Sequence, residues 1–157
     1  MKHFVVTILV LFACFFFMPA GQASAGEYVK ITAKAAKDTV RAGQEARLIF
    51  QMQPKEGLHV NVQPAISLEL IDAKNFSLNA KKFVPDSTVK TLTTKDGYVI
   101  FDPSQPQLVA FTVKIDKRAK PGRYPLKTKL TYYYCSDAEG WCSFAKEEFV
   151  VELMVVK

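Results

Sequence analysis

Cysteine is scarce in this chain: three residues in 157, Cys14, Cys135 and Cys142. So few thiols exclude a fold held together by many disulfides. No CxxC pair occurs, which excludes a redox centre of the thioredoxin type on a helix N-terminus. Histidine occurs only as His3 and His59. Paired-histidine metal motifs, a nucleophile elbow and a Gly-rich phosphate loop are all absent, so hydrolase and phosphate-transfer readings have nothing to stand on. No window carries a sustained helical apolar stripe. Basic residues form no dense run: 21 Lys plus Arg stand against 15 Asp plus Glu, spread along the chain. That excess reads as solubility rather than nucleic-acid binding, and it leaves room for an acidic protein partner.

One long apolar run is present, at the start. Lys2 and His3 precede Phe4 to Met18, Pro19 breaks the run, and Ala23-Ser24-Ala25 supplies a small-x-small site. This is the pattern of a secretory signal peptide over residues 1–25, cut before Gly26. Leu11-Phe12-Ala13-Cys14 is a poor lipoprotein box, because Phe12 is bulky and the apolar run continues through Phe17. The expected product is one domain, residues 26–157, with enough chain for a core of its own. No later stretch is apolar enough to span a bilayer. The product is expected in the periplasm or another extracytoplasmic, oxidising space, without stable membrane insertion once the leader is removed.

What remains is beta-patterned. Strands are predicted at Glu27–Lys34, on both sides of a turn at Ala42-Gly43 within 39–53, and at Leu58–Val62, Ile66–Ile71, Phe76–Val84, Tyr98–Phe101, Leu108–Ile115, Arg123–Tyr134 and Ser143–Val156. Ala46, Leu48, Phe50 and Met52 alternate with Arg47, Ile49, Gln51 and Gln53, the period of a half-buried strand. Short strands with turn signals at this spacing predict an all-β fold, an immunoglobulin-like antiparallel β-sandwich. The connection from Pro85 to Gly97 is polar and long for a hairpin, a length at which loops carry function more often than usual.

The chemistry centres on Cys135-Ser136-Asp137-Ala138-Glu139-Gly140-Trp141-Cys142, between two strand-like runs. A register that sets the two cysteines opposite each other brings their Cβ atoms into bridging range. Closing so short a loop contributes roughly 2–3 kcal/mol in the chain-entropy model. The spacing leaves two readings open, an inert staple and an exchanging pair. Asp137 and Glu139 disfavour a thiolate in the loop. Trp141, Tyr132, Tyr133, Tyr134 and Phe144 crowd the region, either as core or as a shield and docking face. His59 on its strand is a packing residue or a proton carrier. No cofactor and no metal are expected. Cu(I) held by Cys135, Cys142 and His59 is a third idea, with no recognised ligand spacing behind it.

The segment Lys120-Pro121-Gly122-Arg123-Tyr124-Pro125-Leu126, the Tyr-rich strand and the Cys135–Cys142 octapeptide resemble the N-terminal periplasmic domain of the thiol–disulfide reductase DsbD. Gly57-Leu58-His59-Val60-Asn61 resembles that family's strand whose polar residues look toward the cysteines. The resemblance implies an immunoglobulin-like domain whose Cys135 and Cys142 cycle between dithiol and disulfide. It implies electrons taken from a thioredoxin-like or membrane thiol reductant and passed to a periplasmic client oxidoreductase, the activity of a protein-disulfide reductase. His59, Asn61, Trp141 and Asp137 are the implied supporting residues. The connection 85–97 is the implied place for a cap over the cysteines, with Tyr98 or Phe101 as its shield. This chain departs from the family in having six residues between its cysteines rather than five, and His59 and Asn61 where tyrosines are frequent. The rival, from the residues alone, is a secreted binding module whose disulfide is inert.

Overall fold

The computed structural model describes residues 22–157. The apolar run 4–18 and Cys14, on which the leader reading rests, lie outside the described residues.

Twelve strands follow one another among the described residues: β1 (Gln22–Ala25), β2 (Val29–Ala35), β3 (Thr39–Arg41), β4 (Glu45–Pro54), β5 (Leu58–Val60), β6 (Ser67–Ile71), β7 (Phe76–Leu78), β8 (Thr91–Thr93), β9 (Val99–Phe101), β10 (Gln107–Ile115), β11 (Gly122–Ser136) and β12 (Trp141–Val156). One sheet has the order β1-β2-β4-β10-β7; the other has β3-β12-β11-β5, with β6 also paired to β11. All pairings are antiparallel except β3 with β12. The fold is a β-sandwich, as the period-2 patterning predicts.

Alternation builds the core. In β4, Ala46, Leu48, Phe50 and Met52 are buried, and their neighbours Arg47, Ile49 and Gln51 point away from it. Phe50 joins the layers: its ring meets Phe111 of its own sheet at 6.2 Å and Phe149 of the opposite sheet at 5.6 Å, both edge-on. From β11, Leu126, Thr128, Leu130, Tyr132 and Tyr134 face the same core.

Three elements differ from expectation. The predicted strand Phe76–Val84 is a continuous strand only over Phe76–Leu78, with one isolated bridge from Lys82 to Ser67, because the polar Asn79, Lys81 and Lys82 interrupt its alternation. The long connection contains a strand, β8, which pairs with β9 as a separate ribbon. Residues 22–25, assigned to the leader, form β1 on the edge of β2; an open edge offers unpaired backbone groups that an adjoining segment can satisfy.

Candidate functional site at the β11–β12 tip

The longest hairpin in the molecule runs from the pair Gly122↔Val155 to the pair Ser136↔Trp141. It closes through Asp137, Ala138, Glu139 and Gly140. The Gly140 N–H donates to the Ser136 carbonyl at 2.9 Å, and Gly140 has φ 67°, a left-handed conformation that glycine adopts without a Cβ penalty. This tip fixes the register, and the register sets Cys135 opposite Cys142. Their sulfurs are bonded, with Cα atoms 4.1 Å apart, the narrow spacing of a non-hydrogen-bonded pair. The cysteines thus lie inside the ends of the two strands, not in a loop between them.

The two sulfurs meet different surroundings. Cys135 is 3 % exposed although it faces away from the inter-sheet core. Its strand is interior: β12 flanks it on one side, and β5 on the other sets His59 beside Cys135. Cys142 is exposed. The further neighbour of its strand, β3, pairs only with Met154–Val156 at the opposite end. No described strand therefore covers Cys142 on that side.

Asn61 and His59 both stand on the sulfur side. Asn61 is buried, with its N–H bonded to the Tyr133 carbonyl at 2.9 Å and a bridge to Ile100 on its other flank. Its side-chain amide straddles the Cys135 sulfur: Nδ2 donates to Sγ at 3.5 Å, and Oδ1 lies 3.6 Å from it. An amide so placed can donate to a Cys135 thiolate or accept from a Cys135 thiol. His59 is buried, its Nδ1 lies 3.4 Å from Asp137 Oδ2, and its Nε2 is enclosed without a hydrogen-bond partner. Asp137 itself is largely exposed. Among the described residues no group of three or more His, Cys, Asp or Glu is arranged to hold a metal, so the copper idea gains no ligand set.

The aromatic residues divide between the faces. Tyr133 and Phe144 share the face of the sulfurs, with rings 6.0 Å apart; Phe144 is 57 % exposed. Trp141 pairs with Ser136 on the opposite, core-side face. There it meets Tyr134 at 5.9 Å and Tyr28 at 5.7 Å, and its indole N–H donates to Glu139. Trp141 therefore braces the tip from behind and does not shield the sulfurs. Tyr28, which stacks on Tyr134 at 5.4 Å, completes that brace. Sequence reading missed it because it is more than a hundred residues away in the chain.

The cap expectation divides in the same way. Phe101 is buried in the core against Phe83, ring to ring at 6.0 Å, and so cannot act as a shield. Tyr98 sits at the turn of the β8–β9 ribbon and is exposed. That ribbon joins the free edge of the β5 segment, where the Val62 N–H donates to the Val99 carbonyl at 2.7 Å. The connection is thus anchored beside Asn61. Its first residues are tied down by Arg47–Asp86 at 3.6 Å and by Thr88, whose hydrogen bonds hold the Asp86 carboxyl below its ordinary range.

No protein-family model matches the chain, and no curated protein is similar to it at a significant level. Solved structures share its fold at low identity. The N-terminal periplasmic domain of ScsB from Proteus mirabilis superposes with a TM-score of 0.51 at 10 % identity, over 82 % of this chain and 49 % of that one. This chain therefore spans about half the length of that structure. The GAE domain of yeast GGA1 gives a TM-score of 0.48 at 12 % identity, over 83 % of this chain and 98 % of that one. The cohesin–dockerin complex Coh-OlpA–Doc918 from Clostridium thermocellum gives 0.45 at 12 % identity, over 80 % of this chain and 99 % of its counterpart. Of these, the ScsB periplasmic domain is the one whose superposition supports a related fold, and it supports the fold alone.

Proposed function

We propose that this protein is an extracytoplasmic thiol–disulfide exchange module. Its Cys135–Cys142 bond accepts electrons from a thioredoxin-like or membrane-linked dithiol and passes them to a client disulfide. The observation that carries the reading is the asymmetry of the sulfurs: one exposed, the other buried beside an amide that suits both its protonation states. A staple requires neither.

The chemistry follows from that asymmetry. A thiolate of the reductant attacks Cys142 Sγ in line with the S–S bond. The new bond joins reductant and Cys142; the Cys135–Cys142 bond breaks, and Cys135 leaves as a thiolate within reach of the Asn61 N–H. The second thiol of the reductant, as thiolate, attacks its own mixed-disulfide sulfur and releases Cys142. Two electrons have moved and the reductant is a disulfide. In the second half-reaction the Cys142 thiolate attacks a client disulfide and Cys135 resolves the adduct. His59, opposite Cys135 in the β5–β11 register, and Asp137, 3.4 Å from its Nδ1, carry the proton that Cys135 gains or loses in this reading.

The reading is tested by mixing the oxidised protein with a reduced thioredoxin-fold dithiol protein and following loss of the Cys135–Cys142 bond by acid quench and alkylation. Exchange within seconds to minutes is expected, with Asn61→Ala slower by about tenfold, since a hydrogen bond to a charged group is worth about 1.5–3 kcal/mol. His59→Ala with unchanged kinetics removes the proton-carrier role. A bond that persists for hours in excess dithiol overturns the reading and leaves a stapled binding module.

A further inference from the structure

Glu147 is a partly buried carboxylate that the exchange chemistry does not use, and among the described residues it is the carboxylate with an enclosed oxygen left unpartnered. It stands on the inner face of β12, across from Leu130. The Tyr132 hydroxyl donates to its Oε1 at 2.5 Å. Its Oε2 is closed off from solvent and has no hydrogen-bond partner among the described residues. Burial, and then the neighbouring carboxylate, push the Tyr132 hydroxyl far above the ordinary phenol range. That hydroxyl is therefore a permanent donor, and it satisfies only one of the two oxygens. A buried carboxylate oxygen without a partner is costly, so a cation or donor belongs there.

Gly26 lies against the same carboxylate. A side-chain carbon on Gly26 would fall 2.9 Å from Glu147 Oε1 and 2.6 Å from the Val29 carbonyl oxygen. The position is too tight for any residue but glycine, and its backbone is within reach of the carboxylate. Gly26 is also the residue that follows the Ala23-Ser24-Ala25 cleavage pattern. Hydrolysis of the Ala25–Gly26 peptide by a signal peptidase consumes one water. It leaves a carboxylate on Ala25 and an amine on Gly26 that is protonated at neutral pH.

We propose that Glu147 is the receptor for the chain's own processed amino terminus: the Gly26 α-ammonium, freed by cleavage after Ala25, pairs with the unpartnered Oε2. The inference rests on the leader reading, not on the exchange reading, and either can fail without the other. Its consequence reaches the tip. Two residues on from Gly26, Tyr28 stacks on Tyr134 and meets Trp141 edge-on. Tyr132, the other partner of Glu147, lies 6.0 Å from Tyr134, ring to ring. Processing thus adds an ionic anchor next to the aromatic brace behind Cys142, whose ring contacts are already made in the uncleaved chain.

The test begins with the intact mass of the protein secreted from its full precursor. A start at Gly26 is expected, and any other start overturns the proposal. The α-amine is then titrated by NMR after selective labelling. Its pKa is expected above the ordinary range of about 7.7–8.0 in the wild type and inside it in Glu147→Gln; an ordinary value in the wild type overturns the proposal. Finally, thermal unfolding is compared for chains starting at Gly26 and at Ser24. The chain starting at Gly26 is expected to melt a few degrees higher, the effect of one modest interaction in a domain of this size. The difference should vanish in Glu147→Gln. An equal difference in both backgrounds overturns the proposal. Should Glu147→Gln fail to fold, the wild-type titration decides alone.

Discussion

Replacing Cys135 with serine turns the protein into a trap: the exposed Cys142 thiolate attacks a partner's disulfide sulfur, a mixed disulfide forms as one thiolate leaves, and this chain keeps no second cysteine to resolve it. Replacing Cys142 instead leaves Cys135, which is 3 % exposed between β5 and β12, and adduct yield falls by at least about tenfold because access governs exchange as strongly as thiolate fraction. The measurement is the amount of covalent adduct on a non-reducing gel after each variant meets a thioredoxin-fold protein that keeps only its attacking cysteine, activated as a mixed disulfide with a small aromatic thiol that departs when the adduct forms. Equal yields from the two variants would contradict the assignment of Cys142 as the reacting sulfur. In the wild type, alkylation of the reduced protein should mark Cys142 first for the same reason.

Phe50→Ala is expected to lower folding stability by about 3–5 kcal/mol, the range for removing a buried aromatic ring. The side chain is fully enclosed and meets Phe111 and Phe149 from two different sheets, so neither sheet can collapse into the space without parting from the other. Out of a total of about 5–15 kcal/mol for a domain, that loss is severe. Leu108→Ala on the exposed face of β10 is the control, expected within about 0.5 kcal/mol of wild type. Urea titrations of the two variants give the comparison. A loss below about 1.5 kcal/mol for Phe50→Ala would mean that the two layers are not joined through this ring.

The sandwich was legible because its longer strands are half-buried, and half-burial writes itself into the chain as alternation. In β4 and β10 each buried residue is followed by a more exposed one. β8 left no such mark. Thr91, Leu92 and Thr93 are all exposed, and the strand exists by pairing with β9 rather than by burying a face. The pairing of Cys135 with Cys142 needed a register that the spacing alone leaves open; the four-residue tip with left-handed Gly140 supplies it. The difference in burial between the sulfurs was out of reach of the sequence. Both point to the same face, and what separates them is which strands lie beside β11 and β12 at that height. The side taken by Trp141 was within reach, since a residue next to an outward cysteine on a strand must point inward. The crowd of aromatic residues around it obscured that alternation. Tyr28 and Glu147 belong to the tip only through the third dimension.

The reduction potential of the Cys135–Cys142 bond, titrated against a defined glutathione or dithiothreitol buffer in the folded protein, tests the account most directly. An exchanging bond is expected to lie above about −300 mV, where thioredoxin-like proteins can reduce it. A value well below about −300 mV would make the bond a permanent tie between β11 and β12 and would contradict the exchange account.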